Sequence, residues 1–377
     1  MPPITLTPCD SRATQETKNL YANLHQLRKT KTIFGHQDTL AYGNSWTADN
    51  PNGRISDVSD SLTSKDLPGI FGWDIGQIET GNPRLINWVE LARLRQWIKQ
   101  VYDMGCVNTI SWHANNPVFG TGVGDGTTVA KILDGVSKPA GSNTTYKEIF
   151  KGWLTTLANF FKSLIGSDGK LIPIIFRPFH ECNVQNCFWW DKTFCVATDF
   201  VKLWRLTVTH LKDVCEVHNL LYAFSLNDGF SNLDFSTRYP DNGFVDIIGL
   251  DAYQRPGTNS SQYISKIQSQ TDTIISLAAA RNKLPAITEM GCNNLKNAAN
   301  QTYSSWFTQT LKPAIKDRTI AYFMLWRNPK GEGLGDSTEF YCCYPTHATQ
   351  TDFNVFYQEP EFIFSKSTKR KALYGAM

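Results

Sequence analysis

The 377-residue chain repeats a short apolar run with a polar cluster where the run ends eight times, and after six of the eight comes a longer stretch with helical spacing. The runs are Thr32–Phe34, Leu67–Ile75, Cys106–Trp112, Ile172–Phe176, Leu220–Phe224, Val245–Leu250, Pro285–Thr288 and Ile320–Leu325. They are apolar without the strict alternation of a half-exposed strand, so they read as strands buried on both faces, the environment of a parallel sheet covered by helices. Ser11–Lys31, Arg84–Met104, Tyr146–Ile165, Thr193–Val217, Ser261–Arg281 and Tyr303–Ile315 are the expected helices, and Asp352–Phe364 a closing one. Eight strands alternating with helices is the count of a single (β/α)8 TIM barrel. No linker or composition break divides the chain, so one domain over residues 1–377 is expected, its core spanning about residues 31–365.

In such a barrel the active site lies at the C-terminal ends of the strands. His36 follows the first run, Asp74 ends the second, and His113 follows the third. After the fourth come Arg177, His180, Glu181, Trp189 and Trp190; Tyr253 follows the sixth, Glu289 the seventh, and Trp326 and Arg327 the eighth. A lone glutamate past a strand is more often a helix cap than a catalyst. Two of them, in the company of imidazoles and indoles, point to carbohydrate. Glycoside cleavage needs one carboxyl that holds a proton and one that is ionised. Glu181, beside His180 and the aromatic loop, sits where a carboxyl pKa rises and is assigned the general acid/base. Glu289, with Tyr253 and Arg177 as donors, is assigned the nucleophile. If the mechanism is retaining, their carboxyls should lie about 5 to 5.5 Å apart. Arg177 is expected to orient a carboxylate. One of Trp189 and Trp190 is expected to face the cleft. His36 and Asp74 divide between sugar contact and structure.

Other chemistries fit less well. Net charge +3 and a pI near 8.3, with Lys and Arg scattered, do not suggest a nucleic-acid partner. No run of 18 apolar residues offers a membrane span. The start MPPITLTPCD lacks the features of a signal peptide. Sequons at Asn143, Asn259 and Asn300 and nine cysteines lean toward a secreted protein whose leader is absent from this sequence. No cysteine pair has the two-residue spacing of a zinc knuckle, and no second His completes a zincin motif after His180-Glu181, so neither a structural zinc nor a zincin metal site is expected. No Gly-x-Ser-x-Gly elbow is present. The Gly-rich stretch between Pro117 and Ser142 has no lysine placed for a phosphate loop and reads as a rim loop. Nine cysteines leave at least one unpaired without intermolecular bridges, and Cys182 with Cys187 could pin the loop after the fourth strand.

The segments FGHQDTLAYG, FGWDIGQIE, SWHANNP, IIFRPFHE, FVDIIGLDAY, ITEMG and LWRN fall in order at these strand ends. Together, from about Phe34 to Phe364, they resemble glycoside hydrolase family 26, best known for endo-β-1,4-mannanases. The resemblance implies a (β/α)8 barrel, a retaining mechanism and no cofactor. It implies Glu181 as acid/base and Glu289 as nucleophile, with His113 and His180 contacting the sugar at the cleaved bond. Tyr253 is similar to the tyrosine that bonds the nucleophile, Trp326 to the indole beneath the −1 sugar, and Arg327 to a further sugar-binding residue. The chain departs from the family at Cys187, where a tryptophan is expected, and at Asp191, where a glycine is. The implied substrate is β-mannan, plain or substituted, or manno-oligosaccharides, acted on by a monomer. A β-1,3-xylanase or β-glucanase of the same family and a non-catalytic carbohydrate-binding barrel stay open.

Overall fold

The computed structural model describes residues 6–120, 126–293, 295, 303–329, 339–369 and 372–376. The sequon at Asn300 and part of the Gly-rich stretch, residues 121–125, lie outside these. Eight of the described parallel strands form the ring: β1 Thr32–Gln37, β2 Ile70–Asp74, β3 Val107–Trp112, β4 Ile174–Pro178, β5 Leu220–Asn227, β6 Ile247–Gln254, β7 Leu284–Cys292 and β8 Tyr322–Leu325. They pair in chain order, and β8 also pairs with β1, so the sheet closes as a (β/α)8 barrel. Every residue of β1 to β5 and of β7 and β8 is buried, which accounts for the continuous apolar character of their sequences. No described helix is long and apolar enough to cross a membrane.

The chain groups into two compact units, each built from three segments. The first comprises Met1–Tyr21, Asp74–Gln100 and Ile110–Ile247. Its β4 and β5 pair with Ile174 opposite Leu220. The helix Tyr146–Lys162 starts with a capping box, in which Thr145 accepts from the Glu148 N–H and Glu148 reaches back to the Thr145 N–H. Just past β4, the Phe179 ring lies 5.8 Å from Trp112, 5.9 Å from Trp189 and 5.7 Å from Trp190. This aromatic knot fixes the chain where the polar residues begin.

The second unit comprises Ala22–Trp73, Val101–Thr109 and Ile248–Met377. Phe34 on β1 stacks on Phe364 at 4.4 Å and meets Phe323 and Phe353 edge-on or tilted. Gly72 on β2 is required by close approach, because a Cβ there would fall 2.0 Å from Gln37 Oε1 and 2.5 Å from Met324 Sδ.

Four expected helices are corrected. Arg84–Met104 becomes helical only at Leu91; residues before it form a hairpin with Trp88 at φ +61°, outside helical space. Asp352–Phe364 splits into a helix Gln350–Tyr357 and a strand β9, Phe362–Ile363, which pairs parallel with β1, because Pro360 cannot continue a helix. Thr193–Val217 is an α-helix only over Ala197–Thr209 and closes in a π-turn, His210–Val214. Tyr303–Ile315 narrows to a π-turn Phe307–Leu311 followed by Lys312–Ile315, where Pro313 has no N–H to donate.

Candidate active site

In the first unit the chemistry gathers on three loops. The chain leaves β4 in a strained path, with Phe179 at φ +49° and Glu181 at φ +55°, the left-handed region that non-glycine residues occupy when the surroundings over-determine them. The Glu181 N–H donates to Ser225 O at 3.1 Å, and its Oε1 accepts from Asn227 Nδ2 at 2.6 Å. Asn227, at the end of β5, is itself locked: its N–H donates to Asn183 Oδ1 and its carbonyl accepts from Asn183 Nδ2. Glu181 is therefore aimed by β5 as well as by its own strand.

His180 is buried, and burial, then the nearby Arg177 charge and His113, hold its pKa well below the ordinary imidazole value. The ring is neutral. It meets His113 edge-on at 4.6 Å. His113 Nδ1 lies 2.5 Å from Asp74 Oδ2, so Asp74 sets which ring nitrogen is turned away from it. Asp74 is buried and spent on His113, Ser111 Oγ and the Gly76 N–H, and its pKa is lowered: burial raises it, and the His113 charge and these hydrogen bonds outweigh that. The reading of Asp74 as a sugar contact is thus corrected: it positions His113. Glu79, also buried, accepts from Trp112 Nε1 and the Asn115 N–H and braces the same loop.

Trp189 and Trp190 are corrected as well. Both are fully buried, their indoles donating to Ala114 O and His180 O, so neither offers a face to a ligand. The accessible ring is Phe188, stacked on Trp190 at 4.6 Å and 4° and meeting His180 at 5.1 Å. The expected Cys182–Cys187 bridge is absent: Cys182 is a buried thiol and Cys187 is exposed. Asp191 pins the loop instead. Its Oδ2 accepts from the Cys187 and Phe188 N–H groups at 2.7 and 2.9 Å, and its Oδ1 from the Thr193 N–H at 2.8 Å. A glycine there could supply none of these bonds. Arg177 is buried and donates to Ser225 Oγ at 3.2 Å.

In the second unit Glu289, on β7, is buried and accepts from Tyr253 Oη at 2.5 Å. The Tyr253 ring lies 5.1 Å from Tyr341, a residue with no motif around it. Tyr341 packs against Gly291, where a Cβ would meet its ring at 2.6 Å. Asn328 holds this arrangement, accepting from the Tyr341 and Cys342 N–H groups and donating to buried Asp57. Arg327 Nη2 pairs with Glu339 at 2.9 Å, and Tyr42 donates to Asp38 at 2.5 Å. Trp326 is half-buried, its N–H bonded to Met290 O. His36 is 1% exposed, with burial lowering its pKa to about 3 and neither ring nitrogen hydrogen-bonded; it is a core residue, which corrects the sugar-contact reading. Among the described residues no cluster of three His, Cys, Asp or Glu is placed to hold a metal.

The glycosyl hydrolase family 26 model matches residues 9–329. The chain belongs to glycosyl hydrolase family 26. A mannan endo-1,4-β-mannosidase of Bifidobacterium adolescentis is 31% identical over 360 residues, 92% of this family 26 chain. The chain spans about a third of that relative's length, 34%. A mannan endo-1,4-β-mannosidase of Bacillus subtilis is 26% identical, with 86% and 83% of the two chains covered. Among solved structures, a family 26 β-mannanase of Bacteroides ovatus superposes with a TM-score of 0.85 at 32% identity, covering 96% of this chain and 98% of that one.

Proposed function

We propose that this chain is an endo-β-1,4-mannanase that cleaves internal bonds of β-mannan, glucomannan or galactomannan with retention of configuration. The observation that carries the proposal is the paired strand-end glutamates, each held by its own side-chain donor, in a chain of this family: Glu181 by Asn227 and Glu289 by Tyr253. In the first step Glu181 gives its proton to the glycosidic oxygen while Glu289 attacks the anomeric carbon; the leaving chain departs and a glycosyl ester forms. In the second, Glu181 takes a proton from water, which attacks the same carbon and releases Glu289. His113, held by Asp74, and neutral His180 offer ring nitrogens to sugar hydroxyls, and Trp326 and Arg327 contribute sugar contacts. The reaction calls for no cofactor. The proposal extends to secretion, to action as a monomer and to residues 1–377 forming a single catalytic domain.

Reducing-end release from β-mannan, mixed-linkage β-glucan and β-1,3-xylan tests it. Cleavage of mannan with little on the other two is expected. Preference for glucan or xylan would replace the substrate while keeping the chemistry.

A further inference from the structure

The loop after β2 contains an indole that folding does not explain. Residues 84–90 form a tight hairpin: Arg84 bridges to Glu90 across an ion pair of 2.6 Å, and the Leu85 N–H donates to Val89 O at 2.9 Å. Leu85 and Val89 point inward and are buried. At the tip, the Trp88 N–H closes the turn on Leu85 O, with Trp88 at φ +61°. Left-handed backbone is unfavourable for a side chain of this bulk; glycine or asparagine would hold the turn without strain. The indole recovers only part of what burial would give, because Trp88 is 55% exposed and its ring stacks on no described aromatic residue. An exposed aromatic in a strained conformation on a rigid support points to a ligand.

The hairpin is anchored beside the sugar-contacting loop. The Ile86 N–H donates to Gly76 O at 3.0 Å, and the Gly76 N–H donates to Asp74, the residue that orients His113. Gly76 is wedged so tightly that a Cβ would sit 2.7 Å from His113 O and 3.2 Å from Ile86 Cγ2. Trp88 is thereby carried on a hairpin bonded to Gly76, whose Cα faces the His113 carbonyl. Phe119, a second exposed aromatic, differs: the Lys131 ammonium lies over its ring at 5.6 Å.

We infer that Trp88 is a stacking platform for a sugar of the bound β-linked hexopyranose chain that lies away from the cleaved bond. This rests on the mannanase reading. The apolar C–H face of a pyranose ring packs on an indole, and a platform held rigid loses little entropy on binding.

The test compares wild type with Trp88→Ala, Trp88→Gly and Trp88→Phe on manno-oligosaccharides of about three and about six sugars and on mannan. For the Ala and Gly variants, kcat/KM on the long substrates should fall about ten-fold, the scale of one lost aromatic contact, with the short substrate unchanged. The Phe variant should stay within about three-fold of wild type. Trp88→Gly should melt no lower than wild type, since glycine relieves the backbone, a signature that a structural role would not give. Equal rates at every length for wild type and Trp88→Ala, or an equal loss at every length, would overturn the assignment. Failure of the wild type itself to cleave any mannan would instead overturn the mannanase reading on which it stands.

Discussion

Replacing Asp191 by asparagine tests whether one buried carboxylate shapes the loop between Glu181 and the aromatic knot. The wild-type side chain is fully buried and takes three N–H donors on two oxygens. An amide of the same size has a single acceptor oxygen. Turned toward Cys187 and Phe188, it presents its NH2 to the Thr193 N–H; turned the other way, it abandons two donors. A hydrogen bond to a charged group contributes about 1.5 to 3 kcal/mol, and the donors here are part-buried, so that water replaces some of what is lost and the cost reaches at most about 3 kcal/mol. Unfolding entropy of about 2.1 cal/mol/K per residue over 377 residues converts this to a fall in Tm of at most about 4 °C. Asp191→Ala should cost as much or more. A thermal melt gives the magnitude, and hydrogen exchange at the Cys187 and Phe188 amides gives the location. Because Phe188 is stacked on Trp190 from this loop, kcat/KM should fall along with stability. An asparagine variant with unchanged Tm and unchanged exchange at these two amides would refute the reasoning.

Two further outcomes are expected. Tyr253→Phe removes the hydroxyl that donates to Glu289 at 2.5 Å, and kcat/KM on manno-oligosaccharides should drop about 10²-fold, the scale for losing one donor to a reacting carboxylate, at unchanged Tm; a loss below about three-fold would dismiss the role. Stability should also decline on acidification. His36 is neutral in the fold, its pKa lowered to about 3, whereas the unfolded chain takes up its proton near 6.5. Its contribution is complete above the unfolded value and is lost as pH falls toward the folded one, at about 1.4 kcal/mol per unit, or about 2 kcal/mol at about pH 5. His25, lowered to about 4 by burial and then by the Arg28, Lys283 and Lys29 charges, acts in the same direction. Urea unfolding at about pH 7.5 and pH 5 should show the loss, and His36→Gln should shrink it; equal slopes in both proteins would contradict this.

The barrel was legible because its strands are buried on both faces, and that leaves a continuous apolar trace in the sequence at Ile174–Phe176 as at Ile247–Leu250. Glu181, just past β4, and Glu289, within the C-terminal half of β7, stood out because two carboxyls fall at the ends of such runs in the company of imidazoles and indoles. What escaped depends on contacts between residues far apart in sequence. Tyr341 meets Tyr253 from 88 positions downstream, and Asn227 reaches Glu181 from 46 positions away. Helix periodicity misled between Pro83 and Glu90, where Leu85 and Val89 have helical spacing but serve a hairpin. One of Trp189 and Trp190 was expected to face the cleft, and both are buried, because sequence does not reveal which ring of an aromatic cluster is covered; Phe188, beside them, is only half-buried. Asp191 stood out only as a departure from the family, and its three accepted bonds give that departure a structural meaning.

The central claim is that Glu181 and Glu289 divide the chemistry, and the direct measurement is mannan hydrolysis by Glu181→Gln and Glu289→Gln beside wild type, with no metal added. Both variants should fold as wild type and lose at least about 10³-fold in kcat, the scale for removing a proton-transfer or covalent group. Glu181→Gln should keep measurable activity on an activated aryl mannoside whose leaving group needs no proton, and Glu289→Gln should not. A variant at either position that hydrolyses mannan at close to the wild-type rate would contradict the account.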